Sequence, residues 1–417
     1  MIPALRAIYD KGFFHLLTAK FFTQFLGFGS IVVVARFLTP AELGELRILQ
    51  AYTVVFSVIA AFGLSTSVLK KCSENIPHQY KEQIFRLSLI RALLLSVGIY
   101  GLVAALASMG YLTSSPNVAH WLIIYALIIP FAAGTDLFIA FLQALKKIKE
   151  MARAQAIIKL QAFLLIIICT YIWGFPGFIF ASIGAYIVGI IPLLWQTGTS
   201  FLRAPSIQAP AGFIAIAVYS MFSNGISTIS KFADMFILDH FSPDRDAIGY
   251  YALATLFLFG AVQVTATVQQ VWTPYLTERA EEESWFRKQV RRIQLRTVFL
   301  SIGVSLLVVL AAYILVHLYY GTEYIPTVTY LSILILKYIL WSAYAVMGIA
   351  LLGLGLMKYN FIVVAVTTPI GLLLSYLLLQ SIGITGVAWA QVITAALGLI
   401  MTVLYYKKAL LKHYSGK

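Results

Sequence analysis

The sequence is poor in charge and in cysteine. Only 11% of its 417 residues are charged, whereas soluble domains carry about 25%, so its charged side chains cannot cover a surface that faces water. A soluble globular protein is excluded, and disorder and nucleic-acid binding are excluded for the same reason, although the net charge is +14. The two cysteines, Cys72 and Cys169, are too few for a disulfide framework or a cysteine-based metal site.

Long apolar stretches make up most of the chain, which is 61% hydrophobic. A transmembrane helix needs about 20 apolar residues, and the alternating pattern of a membrane β-barrel is absent. The sequence therefore predicts an all-α polytopic membrane protein with twelve transmembrane helices. The predicted spans are 12–36, 46–69, 86–109, 118–145, 154–174, 177–200, 210–238, 248–272, 296–319, 327–355, 360–380 and 384–406.

The positions of lysine and arginine predict the orientation of these spans. Cytoplasmic loops collect such residues, and with twelve spans most of the 30 Lys and Arg residues fall at the termini and in even-numbered loops. Loops 3, 5, 9 and 11 contain none, and loop 7 contains only Arg245, among acids. One missed span would destroy this alternation, so the pattern predicts twelve spans with both termini in the cytoplasm.

Four pairs of short segments recur in the same order along the two halves of the chain. They predict two related lobes of six helices, residues 1–203 and 204–417, and a parallel repeat, because six spans return the chain to the same side. Transporters use such symmetry to place a cavity between two lobes. The pairs are 36–44 with 240–250, Pro116 with Pro326, 139–142 with 349–352, and 176–181 with 385–390.

Seven cations lie inside the predicted spans. Each costs about 2.5–3.5 kcal/mol at a helix centre, so it is expected in the bundle interior, a cavity or the membrane interface. Arg36 and Arg47 sit at the outer ends of spans 1 and 2. Snorkelling or loop capping explains these two arginines as well as a functional role does. Three others lie at the limit of snorkelling from the cytoplasmic side, whereas Lys231 and Lys337 lie deep enough to favour a cavity. The seven are Lys20, Arg36, Arg47, Arg91, Lys159, Lys231 and Lys337.

Span 7 carries a polar pattern at helical spacing. Five polar residues follow one another at steps of three or four, which places them on one helical face. They form either an interhelical hydrogen-bond seam, in which a lysine and an aspartate neutralise each other, or the wall of a hydrated cavity. We favour the cavity wall because a seam rarely needs an ion pair. The residues are Ser220, Asn224, Ser227, Lys231 and Asp234.

The buried cations outnumber the deep acids, Asp136 of span 4 and Asp234 of span 7. A cavity lined by these groups is expected to be positive, which suits an anionic cargo such as a phosphate, a diphosphate or an acidic sugar. An exporter of cationic drugs would need the opposite sign. The chain has no Walker A motif, so ATP is not expected to drive it.

Two segments in the first 80 residues resemble a known family. Arg36-Phe-Leu-Thr-Pro-Ala-Glu-Leu-Gly44, and Ala61-Phe-Gly-Leu-Ser-Thr-Ser67 followed by Lys70-Lys71, resemble the bacterial polysaccharide-transporter family of the multidrug/oligosaccharidyl-lipid/polysaccharide exporter superfamily. The segment Ile382–Ala390 is similar to a third family pattern. The chain departs from the first pattern with Thr39 in place of glycine. Length, twelve spans and two lobes match over the whole chain, and the motifs cover about a quarter of it.

The resemblance implies a V-shaped pair of lobes that alternates access around a cationic central cavity. Members of this family flip O-antigen and other lipopolysaccharide or surface-glycan units, linked to undecaprenyl diphosphate, from the inner to the outer leaflet of the bacterial cytoplasmic membrane. Arg36 and Arg47 would belong to an outer gate. Asp136 and Asp234 are candidates for coupling to a proton or Na⁺, with a role as charge partners as the alternative. The candidate substrate-binding residues are Lys20, Arg91, Lys159, Lys231, Lys337, Asn224 and Ser227.

The expected activity involves no covalent chemistry, so we expect neither an enzyme nor a metal or organic cofactor. The expected partners are the lipid-linked oligosaccharide, membrane lipids, and the glycan polymerase and chain-length proteins of the same pathway. A cation-coupled multidrug exporter of the same superfamily is the first alternative. A membrane-embedded glycan polymerase or ligase is the second, although it would be expected to use a long charged outer loop, and the outer loops here are short.

Overall fold

The computed structural model describes residues 26–27, 29–205 and 207–415, and the regular structure in these ranges is helical. This confirms the predicted all-α fold. Residues 29–34 end a helix that precedes α1, whereas Lys20 and most of the predicted first span lie outside the described residues. The helices are α1 Pro40–Ala60, α2 Leu64–Ser73, α3 His78–Ser108, α4 Pro116–Tyr125, α5 Ile128–Ala144, α6 Ile148–Thr197, α7 Phe213–Phe241, α8 Arg245–Glu278, α9 Glu283–Leu315, α10 Ile325–Gly353, α11 Lys358–Ile382 and α12 Ile384–Ser415.

Within the described residues, nine helices are long and apolar enough to cross a membrane, and α4 with α5 makes a tenth as a pair bent by 42°. Pro130 explains the bend, because its ring excludes the carbonyl of the residue four positions earlier and it donates no hydrogen bond. The chain is therefore a multi-pass membrane protein. The total of twelve spans stays a prediction.

Helix α6 contains a reversal of the chain and not one straight span. Its 50 residues would extend about 75 Å as one helix, far more than the hydrocarbon thickness of about 30 Å. Gly174 has φ 62° and ψ −139°. Residues with a Cβ rarely adopt this backbone conformation, whereas glycine adopts it readily. Beyond it the chain folds back, and the Gln161 side chain donates a hydrogen bond of 3.0 Å to the carbonyl of Ala185. The predicted spans 154–174 and 177–200 are these two arms.

The second half repeats this hairpin. Gly383 separates α11 from α12 with φ 67° and ψ −153°, close to the angles of Gly174. The carbonyl of Cys169 lies so near Gly177 that a Cβ there would overlap it, and the carbonyl of Leu378 lies equally near Gly386. These equivalent glycines fall in the sequence pair 176–181 and 385–390, so this predicted repeat has the same local structure in both halves.

The chain divides into two compact units that are not the two sequence halves. The first unit comprises Met1–Leu38 and Leu46–Phe232, and the second comprises Thr39–Glu45 and Ala233–Lys417. Residues 204–232 therefore belong with the first unit, whereas the repeat places them in the second lobe. The reason is packing: Phe213 and Ala217 of α7 are buried in the first unit's core.

Each unit has its own apolar core and an apolar outer surface. In the first unit, the ring of Phe85 stacks on the ring of Phe141, with 4.3 Å between the ring centroids, and it meets the ring of Phe201 edge-on. In the second unit, the start of α9 packs against α8, α10 and α12 through residues such as Phe286. Outward-facing side chains remain apolar, as for Phe299, which is 72% exposed. Such exposure suits contact with lipid tails, which are as apolar as leucine.

Candidate functional site

Polar side chains of α7 line a groove in the first unit. The groove, called the α7 groove below, consists of two adjoining cavities of about 670 Å³ and about 220 Å³ that share Asn224. The side chain of Asn224 donates a hydrogen bond of 3.2 Å to Ser220, one turn earlier. The spacing of three and four residues along α7 therefore directs its polar face into open space.

Helix α2 holds α7 in place through the second family-like motif. Gly63 precedes α2 with φ 63°, and a Cβ on it would overlap the backbone of α7 at Ala217. The absent side chain lets the two helices approach. The hydroxyls of Thr66 and Ser220 then lie 2.6 Å apart, and Ser67 donates a buried hydrogen bond of 2.9 Å to the carbonyl of Phe213.

The larger cavity has a cationic end. Lys70 and Lys71 of α2 line it together with hydroxyl and amide groups of α7. Lys71 forms an ion pair of 3.0 Å with Glu74, and Lys70 is exposed. Thr66 and Lys70 are four residues apart, so they share a face of α2. This end of the groove can hold an anion by charge-assisted hydrogen bonds.

The smaller cavity contains charges of both signs. Asp136 of α5 and Lys231 of α7 line it, together with Asn224 and Ser227 of α7. Lys159 of α6 interacts electrostatically with Asp136. Lysines at three positions and one acid line the two cavities together. Two of these lysines, Lys70 and Lys71, line the larger cavity, whereas Lys231 and Asp136 line the smaller one.

The structure brings four of the predicted site residues together in this groove: Asn224, Ser227, Lys231 and Asp136. Lys159 lies beside them through its interaction with Asp136. Arg91 is half-buried on α3 and lines neither cavity. Lys20 lies outside the described residues.

Asp234 and Lys337 lie elsewhere, in the second unit. Asp234 is 8% exposed and accepts a hydrogen bond of 2.7 Å from Tyr251. Lys337 donates a hydrogen bond of 2.6 Å to Gln391 and interacts electrostatically with Asp234. The polar face of α7 is therefore a cavity wall as far as Lys231 and an interhelical contact at Asp234. The interpretation as a cavity wall therefore describes this face up to Lys231, and the interpretation as an interhelical seam describes it at Asp234.

The two predicted gate residues have different surroundings. Arg36 is exposed in the turn before α1. Arg47 of α1 is half-buried, donates a hydrogen bond of 2.8 Å to Gln50, and lies near the buried hydroxyl of Tyr125. Arg47 is thus part of a polar cluster inside the first unit.

Lys70 and Lys71 line the larger cavity, whereas the charge pattern of the sequence predicts them only as cations of a cytoplasmic loop. Their position four and five residues after Thr66, directly behind the family-like motif, was the available signal. In the described ranges, His, Cys, Asp and Glu form no group of three or more that could hold a metal ion.

Comparison with known proteins gives one sequence match and several structural ones. Residues 10–280 match the family model described as "Polysaccharide biosynthesis protein". None of the curated proteins compared with the chain matched it.

Solved structures with a similar fold are transporters. The lipid II flippase MurJ, in an inward closed conformation, has 16% identity and a TM-score of 0.78 over 96% of this chain and 90% of its own. An inward-facing multidrug resistance MATE family transporter of the MOP superfamily has 13% identity and a TM-score of 0.76 over 94% and 96%. A MOP superfamily transporter from Pyrococcus furiosus has 13% identity and a TM-score of 0.66 over 95% and 94%.

Proposed function

The chain belongs to the polysaccharide biosynthesis protein family, and from this premise we propose that it is a flippase for an oligosaccharide linked to undecaprenyl diphosphate. It would move this cargo, an O-antigen or related surface-glycan unit, from the inner to the outer leaflet of a bacterial cytoplasmic membrane. The fold is that of flippases and transporters. The observation that carries the choice of cargo is the α7 groove, with lysines at one end and neutral polar groups along its wall.

The lysine end of the groove suits the diphosphate. A diphosphate carries its charge on several oxygens, and Lys70 and Lys71 offer ammonium groups beside the hydroxyl of Thr66. Hydrogen bonds between ionised partners are about twice as strong as neutral ones. The lipid tail needs no polar partner and would stay in the bilayer.

The wall of α7 suits the sugar. Ser220, Ser223 and Asn224 line the larger cavity with groups that both donate and accept hydrogen bonds, and Tyr219 adds an aromatic ring. Its volume of about 670 Å³ falls within the range of about 300–1,000 Å³ usual for small-molecule sites. A sugar that enters hydrocarbon loses its hydrogen bonds to water, and this loss is the main cost of its transfer. The polar groups of the cavity would replace those hydrogen bonds.

No covalent step is needed for this activity, so we propose a transporter and not an enzyme. The groove would open to one leaflet and then to the other, and the cargo would shift the populations of these states by binding them unequally. Lys20 and Arg91 would contribute to the same path, with Arg36 and Arg47 at its outer end. A multidrug exporter of cations remains the less suitable alternative, because among the described residues Asp136 is the one acid that lines the cavities.

The first prediction tests the lysine end of the groove. Lys70→Gln with Lys71→Gln is expected to slow translocation of an undecaprenyl-diphosphate oligosaccharide by about tenfold or more, because a hydrogen bond to a charged group contributes about 1.5–3 kcal/mol. Translocation is measured in proteoliposomes as the loss of lectin-accessible sugar from the outer leaflet. The matched control is Lys407→Gln with Lys408→Gln, an adjacent and exposed lysine pair on α12. Equal rates for the two double variants would contradict the proposal.

The second prediction concerns Asp136 as the proposed coupling acid, to a proton or Na⁺. Asp136→Asn cannot gain or lose a proton, so its translocation rate is expected to vary less with pH than that of the wild type. The rate is measured between pH 5.5 and 8.5 with and without Na⁺, and Asp246→Asn, an exposed acid at the start of α8, is the control. An unaltered profile in Asp136→Asn would assign this acid to pairing with Lys159 alone.

A further inference from the structure

The start of α9 presents two opposite faces. Phe286, Val290 and Ile293 are at most 3% exposed and pack into the second unit's core. This contact fixes the rotation of the helix about its axis. Side chains on its other side are therefore held in a constant direction.

Three exposed cations occupy that other side: Lys288, Arg291 and Arg292, called the basic face below. At 3.6 residues per turn, they lie on the same side of α9 as Leu295 and Phe299, which are 51% and 72% exposed. The cations thus stand directly above an apolar strip of the helix that faces the lipid tails.

Two acids near this segment, Glu283 and Glu282, are paired with other groups. Arg287 forms an ion pair of 2.7 Å with Glu283. Arg279 donates a hydrogen bond of 2.7 Å to Glu282. Across the residues that the structure describes, no carboxylate lies within ion-pair distance of the basic face. The positive charge of the basic face is therefore available to an anion that is not part of the protein.

We propose that the basic face binds the anionic headgroup of a phospholipid whose acyl chains lie along Leu295, Phe299 and Leu306. From Arg292 to Phe299 the helix rises about 10 Å, which exceeds the thickness of about 5–8 Å of one headgroup layer, so Arg292 can reach the headgroups while Phe299 lies among the acyl chains. Clusters of Lys and Arg at the end of a transmembrane helix attract acidic lipids. A preference for cations in cytoplasmic loops explains their number but not their alignment with the lipid-facing strip. This inference does not depend on the proposed cargo.

The test is a lipid titration of the full chain in detergent, followed by native mass spectrometry. The probes are phosphatidylglycerol and phosphatidylcholine. Wild type is expected to bind phosphatidylglycerol more tightly, and Lys288→Gln with Arg291→Gln and Arg292→Gln is expected to weaken that binding by on the order of 100-fold, since each surface cation contributes about a factor of five. Phosphatidylcholine binding should not change.

Two further variants keep the test decisive. Arg291→Lys with Arg292→Lys preserves charge and is expected to retain the preference. Lys146→Gln with Lys149→Gln and Arg153→Gln removes one cation from the turn between α5 and α6 and two from the first turns of α6, and it should leave the preference unaltered. Wild-type binding by the Gln variant of the basic face, or an equal loss in the 146–153 variant, would overturn the proposal. Displacement of phosphatidylglycerol by millimolar inorganic phosphate would also overturn it, because the site would then take a free anion.

Discussion

At the scale of single residues, the α7 groove depends on one missing side chain and two hydroxyls. Gly63 lets α2 and α7 approach, and Thr66 and Ser67 then bond to Ser220 and Phe213 across the gap. Transmembrane helices pack through small residues and interhelical hydrogen bonds, because lipid tails provide no hydrophobic drive for association. The family-like motif that contains these residues thus has a packing role, and the groove follows from it.

The third prediction concerns Gly63. Gly63→Ala combines a positive φ with overlap between its Cβ and the backbone of α7, so we expect it to destabilise the fold by about 1–3 kcal/mol more than backbone strain alone. Gly110→Ala is the matched control, since Gly110 has φ 76° and open space around its Cβ position. Thermal unfolding of the two purified variants gives the comparison. A Gly63→Ala protein as stable as Gly110→Ala would show that α7 moves away freely.

At the scale of elements, α7 is one continuous helix whose polar face has two different environments. Up to Lys231 its polar face borders open space in the first unit, and from Asp234 onward it packs within the second unit. Asp234 joins α7 to Tyr251 of α8 by a hydrogen bond and to Lys337 of α10 electrostatically. These contacts favour a positioning role for Lys337, as an electrostatic partner of Asp234, over direct contact with the cargo.

The fourth prediction tests this pairing. Lys337→Met removes the cation that interacts electrostatically with the buried carboxylate of Asp234, so this charge is less compensated and we expect the fold to lose about 1–3 kcal/mol of stability. Adding Asp234→Asn is expected to restore much of the lost stability, measured as the melting temperature in detergent. Lys231 lies on α7, like Asp234, but it borders a cavity. The variant Lys231→Met should therefore lose little stability. A double variant no more stable than Lys337→Met would mean that the two groups do not depend on each other.

At the scale of the whole molecule, the alternation of charge along the chain determines the predicted orientation. Its exception is Arg245, and the structure explains it: Arg245 pairs at 2.9 Å with Asp239, which is fully buried. This arginine therefore neutralises an acid within the second unit and says little about the side of the membrane. The remaining cations leave the prediction of cytoplasmic termini unchanged.

The fifth prediction tests that orientation by cysteine labelling from outside. Ser114→Cys, exposed between α3 and α4, is expected to react with a membrane-impermeant thiol reagent, and Ser73→Cys, exposed at the end of α2, is not. Ser242 is only 7% exposed and would be a poor probe of the outer side. Native Cys72 lies beyond the predicted span, and burial raises its pKa to about 12, so it stays a protonated, unreactive thiol near neutral pH. The reverse labelling pattern would invert the predicted topology.

The sequence by itself determined the all-α membrane fold, the helical hairpin around Gly174 and its repeat, and the polar face of α7. These depend on composition, on local backbone preferences and on the 3.6-residue period, which act over short stretches of chain. Only the tertiary structure decided that Lys70 and Lys71 share a groove with Asn224, that Asp234 meets Tyr251 and not Lys231, and that residues 204–232 pack with the first unit. Helical periodicity shows which side chains share a face, but the helix that covers this face is selected by packing between residues far apart in sequence.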